Sequence, residues 1–164
     1  MIAVFVREAG GHLADSLRAK ALEWVCTLAA FLFGYSLAQS ADTFALSPSY
    51  AMMDRMVTAA GLTENAVGWL VMGFALIRFA VLGYNGLWHS SPIARRWMAF
   101  ASALLWWFIF MGFWAAVGFA ATGAGSYLAF LVGEVISTVR CSYEVGKMPS
   151  VVRGRSVDAA HSRH

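Results

Sequence analysis

Three charged residues fall inside or at the edge of the long apolar runs of this 164-residue chain: Glu23, Arg78 and Glu134. A charge at mid-helix in lipid costs about 2.5–3.5 kcal/mol on insertion scales, so such groups are paired, solvated or used. Two roles suit two carboxylates and one guanidinium. In the first, Arg78 snorkels toward the headgroups and pairs with Glu134, fixing which helices touch. In the second, Glu134 exchanges protons or lines a polar path. A catalytic pair is not indicated, because no nucleophile with a base accompanies these charges. An enzyme is therefore not expected.

The other chemistry-bearing residues point the same way. His12, His89, His161 and His164 all lie outside the apolar runs, which argues against a haem held in a bundle. No Cys/His cluster has metal-ligand spacing and no phosphate loop is present, so neither metal nor cofactor is expected. Cys26 and Cys141 fall toward the reducing side of the membrane, where a disulfide is not expected. The basic residues are too dispersed to suggest a nucleic-acid partner.

The elements that must position these charges follow from composition. Apolar residues make up 60% of the chain and charged residues 13%, against about 45–50% and 25% in soluble domains. That is too little charge to coat a water-facing globule. Four stretches approach the ~20 helical residues needed to cross ~30 Å of hydrocarbon: 22–38, 66–84, 97–121 and 123–139. Glu134 is the only charge between Trp97 and Val139, too long a run for one crossing. The chain is therefore expected to reverse at Thr122-Gly123-Ala124-Gly125. Unbroken runs without polar alternation predict helices rather than barrel strands. The expected fold is an all-α, four-helix transmembrane bundle.

Basic residues set the orientation. Ten of the twelve lie on one side of a four-span arrangement, in the N-terminal arm, the loop holding Arg95 and Arg96, and the tail. Arg55 is alone on the other side, and Arg78 lies within a span. The positive-inside rule then puts both termini in the cytoplasm. Arg78 precedes Tyr84 by six residues and Glu134 precedes Arg140 by six. Both thus lie ~9 Å inside the cytoplasmic end at 1.5 Å per residue. With Glu23 at the start of span one, a single layer of three charges is expected.

Local signals refine the boundaries. Ser47-Pro48 predicts a capped helix start and Gly61 a stop, enclosing a short helix with Met52, Met53, Met56 and Val57 on an apolar face along the outer interface. Thr63 should cap span two, with Glu64 at its positive end. Ser91-Pro92 should start span three after a turn at Asn85-Gly86. Trp24, Trp69, Tyr84, Trp88 and Trp97 fall at headgroup depth. Residues 1–21 are expected to form an amphipathic cytoplasmic arm extending the first helix, with no cleavable signal. Residues 141–164 are expected to form a basic, flexible tail.

Gly125, Ala129, Gly133 and Ser137 recur at steps of four on span four, with Gly112, Ala116 and Ala120 as a counterpart on span three. Such stripes let helix backbones approach closely. They serve either packing within the bundle or self-association. The aromatic residues of span three, Trp106, Trp107, Phe108, Phe110, Phe113 and Trp114, surround the helix and suit lipid contact and core filling.

Asp42-Thr43-Phe44, Ser47-Pro48-Ser49-Tyr50, Gly68-Trp69, Arg78, Asn85-Gly86-Leu87-Trp88, Ser91-Pro92 and Arg95-Arg96 together resemble a group of small four-span membrane proteins of tailed bacteriophages. The resemblance covers roughly residues 23–140. It implies a phage or prophage origin and a place in the bacterial inner membrane, and it carries no catalytic residues. The expectation is a non-enzymatic protein acting by assembly in the membrane, with a holin-like part in host lysis as its specific form. A membrane scaffold or accessory subunit of a partner complex is the alternative, and a small proton-coupled transporter working through Glu134 is a third. The expected partners are the lipid bilayer and either further copies of the chain or a membrane protein.

Overall fold

Apolar stretches of this length leave the helix as the way to satisfy backbone N–H and C=O groups away from water. The computed structural model describes residues 20–39, 42–87, 92–120 and 122–161, and all regular structure among them is helical. Helix α1 runs Ala21–Gln39, α2 Thr43–Leu46, α3 Ala51–Ala59, α4 Glu64–Leu87, α5 Pro92–Val117 and α6 Thr122–His161. Short 3₁₀ turns occupy Pro48–Tyr50 and Gly118–Ala120. Residues 1–19 of the arm expected over 1–21, and Trp88 and Ser91, lie outside the described residues.

Among the described residues three helices are long and apolar enough to cross a membrane: Ala21–Gln39, Glu64–Asn85 and Ile93–Val117. The molecule is thus an all-helical protein with membrane-span character.

Several boundaries differ from the sequence expectation. The reversal before α6 comes a turn early, at Gly118–Ala120, where Gly118 takes φ +62°, a left-handed conformation that favours glycine. Residues 122–125 instead form the first turn of α6. Asn85-Gly86 is not a turn either, since α4 continues to Leu87 and buries Asn85. From residue 141 the backbone stays helical to His161 instead of leaving the bundle as an irregular tail. Ser47 precedes Pro48 in an extended conformation, yet its hydroxyl makes no cap hydrogen bond. Gly61 ends the α3 segment with φ +70°, and Thr63 Oγ1 accepts the Ala66 N–H at 3.2 Å at the start of α4.

The helices form two tight antiparallel pairs, α1 with α4 and α5 with α6, joined chiefly through α1 and α6. Between α1 and α4 the backbones touch. A Cβ at Gly34 would lie 2.6 Å from the Met72 nitrogen, and one at Gly68 would lie 2.8 Å from the Gly34 carbonyl oxygen. Lipid supplies no hydrophobic drive between helices, so close packing and interhelical hydrogen bonds must hold such a pair. Asn65 Nδ2 adds one, donating to the Ala38 carbonyl at 2.6 Å.

At the end of the bundle away from Arg95, α2, the first 3₁₀ turn and α3 fold down onto α5. Phe44, Met53 and Val57 join the core with Trp106, Ile109 and Phe113, while Met56 stays exposed. The Tyr50 ring meets Phe113 at 4.6 Å between centroids. Burial pushes the Tyr50 hydroxyl above its usual pKa. The short helix thus covers the end of the bundle with half of the apolar face expected to lie along the interface. Glu64, at the start of α4, anchors this cap. Its carboxylate accepts the Thr43 and Phe44 backbone N–H groups at 3.0 and 2.9 Å, satisfying donors that α2 leaves open.

Candidate functional site

The deep polar cluster is built by three helices that turn polar side chains inward. On α4, Arg78 lies among Val71, Ala75 and Leu82 on the buried face. On α6, Glu134 follows Gly133, whose missing side chain leaves room for Leu22 and Cys26 of α1. On α5, Ser102 is buried one turn from Trp106. The Arg78 guanidinium grips Glu134 at two points, Nη1 to Oε1 and Nη2 to Oε2, the latter at 2.6 Å. Ser102 Oγ donates to Glu134 Oε1 at 2.8 Å, and the Cys26 thiol lies beside the same carboxylate. Four helices therefore converge on one carboxylate. A two-point guanidinium–carboxylate pair with a further donor satisfies the charge and also fixes its geometry.

Glu23 does not share this layer. It pairs with Arg95, Nε to Oε2 at 3.2 Å and Nη2 to Oε1, and Arg95 Nη1 also reaches Glu144 Oε2 at 2.9 Å. Arg95 precedes Ser102 by seven residues, so the two charge layers lie about 10 Å apart along α5. The expected single layer is two clusters, because Glu23 takes Arg95 of α5 as its partner and Arg78 is taken by Glu134. Lys20 stands at the edge of the second layer. Burial, and then the Arg95 guanidinium, push its ammonium below the usual lysine pKa.

Sequence reasoning missed Arg95, Ser102 and Glu144. Arg95 was counted as a loop charge beside Arg96, yet it is 3% exposed and Arg96 is half-buried. The signal was present. Arg95, Ala99, Ser102 and Trp106 recur at three- and four-residue steps, a single helix face, and all four are buried.

The small-residue stripe divides. Gly133 and Ser137 are buried in the bundle, whereas Gly125 and Ala129 are exposed and a Cβ at Gly125 would meet nothing within 4 Å. Gly112 does not face α6. A side chain there would strike Met53 of α3, so this glycine seats the outer cap; Ala116 is half-buried near the end of α5. The close backbone approach belongs to Gly34 and Gly68, which lie outside that stripe.

Among the described residues no group of three His, Cys, Asp or Glu side chains is placed to hold a metal ion. Cys26 and Cys141 are both buried as free thiols. What the arrangement does chemically is hold helices: each charge at depth is hydrogen-bonded to a partner on another helix. No protein family, curated protein or solved structure matches this chain.

Proposed function

We propose that this chain is a non-enzymatic, four-span protein of the bacterial inner membrane, with both termini cytoplasmic, that acts by assembly. The observation that carries this reading is the Glu134 cluster, in which the deepest carboxylate is consumed in joining four helices. A proton-coupled cycle would have to detach Glu134 from Arg78 and strand a buried guanidinium, at several kcal/mol. The position of α6 supports a fourth crossing. Tyr127 meets Phe33 at 6.0 Å, and Glu144 shares Arg95 with Glu23, so α6 runs beside α1 from Glu23 to Phe33. A reporter fused after His164 tests the arrangement: cytoplasmic activity is expected, and periplasmic activity overturns it.

The phage-type resemblance gives assembly a specific form, a holin-like lesion that opens to an endolysin. Timed expression should collapse the inner-membrane potential abruptly and release a co-expressed endolysin. Intact potential at high expression excludes this form. A second reading, a scaffold that holds a partner complex, is favoured by the closed outer end, where Phe44, Met53 and Val57 are buried over the bundle. It predicts a stable co-purifying partner and unchanged permeability.

A further inference from the structure

We propose that the groove between α5 and α6 seats one anionic phospholipid of the cytoplasmic leaflet, with an acyl chain in the groove and the phosphate at Arg96. The leaflet assignment rests on the orientation proposed above. The groove encloses about 490 Å³ and is lined by Phe100, Leu104, Trp107, Val135, Thr138 and Val139, among others. That volume lies within the ~300–1,000 Å³ range of small-molecule sites. The one hydroxyl on its wall is spent within α6, since Thr138 Oγ1 donates to the Glu134 carbonyl at 2.8 Å. The wall therefore offers a ligand only apolar contact. From Phe100 to Trp107 it extends about 10 Å at 1.5 Å per residue, within the ~15 Å of one leaflet's hydrocarbon.

Charge at one end selects the headgroup. Arg96 precedes Phe100 by four residues and so continues the α5 wall of the groove toward the cytoplasmic end. Its guanidinium stacks over the exposed Trp97 ring, 5.4 Å from the centroid, an amphipathic pair suited to headgroup depth. Arg95 is matched by Glu23 and Glu144, and Arg140 by Glu144, whereas Arg96 has no carboxylate within ion-pair distance among the described residues. A cation without a carboxylate partner at the mouth of an apolar groove calls for an anion, and a phosphate attached to an acyl chain satisfies both ends of the site. A helix from a second copy fits less well. Close helix contact in lipid favours small residues, and this groove presents Phe100, Leu104 and Trp107 on its α5 wall.

Native mass spectrometry of the full-length protein, released from detergent with phosphatidylglycerol and phosphatidylcholine of matched chains, tests the site. The wild type should retain one phosphatidylglycerol in preference to phosphatidylcholine. Arg96→Gln should weaken that retention about fivefold, the effect of one cation near a membrane surface. Arg96→Lys should keep it, Arg55→Gln should leave it unchanged, and Val135→Trp should displace either lipid by filling the groove. Helicity and monodisperse elution identify variants that have folded. Equal retention of both lipids by the wild type, or unchanged selectivity in folded Arg96→Gln, overturns the proposal. So does a disulfide-linked dimer through Val135→Cys, which would assign the groove to a second copy. These readouts do not depend on orientation, so the fusion reporter can fail without affecting them.

Discussion

Arg78 and Glu134 stand 56 residues apart in the chain and meet as a two-point ion pair with side chains 2% and 0% exposed. Neither charge has water to fall back on. Removing one partner strands the other, whereas removing both leaves an apolar gap that Met and Leu can fill. Arg78→Met and Glu134→Leu should each destabilise the protein by about 3–5 kcal/mol, and the double variant should recover most of the loss. Unfolding in a denaturing detergent series measures this cycle. Additive losses would show that the two residues act independently.

The second layer is graded. Glu23 is buried against Arg95, while the Glu144 side chain is 34% exposed. Glu23→Gln should therefore cost more than Glu144→Gln, which should fall within about 1 kcal/mol of wild type as partly exposed pairs do. Detergent unfolding midpoints give the order, and the reverse order would contradict the geometry.

Glycines at two kinds of site should behave oppositely. Gly34→Ala and Gly68→Ala place a methyl group into backbone atoms of the facing helix and should separate α1 from α4. Gly73 and Gly83 have nothing within 4 Å of an added Cβ. Alanine there should be neutral or stabilise the helix by up to about 1 kcal/mol. Thermal unfolding of all four variants in one detergent compares the classes.

Trp106 is 1% exposed, and its indole N–H has no hydrogen-bond partner among the described residues. The ring is held by Phe130 at 4.7 Å between centroids and by stacking on Tyr127 at 6.0 Å. Trp106→Phe keeps an aromatic ring and removes a buried donor whose desolvation costs about 1–3 kcal/mol. Its stability should stay within about 1 kcal/mol of wild type, whereas Trp106→Ala should lose about 3–5 kcal/mol. A large loss in the Phe variant would show that the N–H has a partner.

The outer cap depends on one carboxylate. Glu64→Ala removes the acceptor of two backbone N–H groups at the start of α2. Limited proteolysis near residues 42–50 should accelerate, with a stability loss of about 1–3 kcal/mol. Unchanged cleavage would mean that apolar packing of Phe44 and Met53 alone holds the cap.

Much of this architecture was legible in the sequence because apolar length and helix punctuation are local signals. Pro92 begins α5, Gly61 ends the α3 segment, and Thr63 accepts at the start of α4. Arg78 and Glu134 could be set at one depth by counting back from Tyr84 and Arg140. Antiparallel register was harder. Glu23 could not be matched with Arg95 and Glu144 without knowing how far α6 continues past Arg140. Arg95 was hidden because its chemistry is the same as that of Arg96, and only the burial of one helix face separates them. The α1–α4 contact was missed for a related reason. Small-residue spacing shows where backbones can approach, and Gly125 and Gly34 look alike until a facing helix is present.

The glycine-to-backbone contact has a mechanical consequence. Gly34 and Gly68 let α1 and α4 pack backbone to backbone, and among the described residues no such close approach joins α4 to α5. Lateral stress in the bilayer therefore spends itself at the α4–α5 seam, where an open furrow of about 410 Å³ lined by Leu70, Phe74, Leu105 and Phe108 already lies. What resists widening there is the Arg78–Glu134 pair, which ties α4 across to α6.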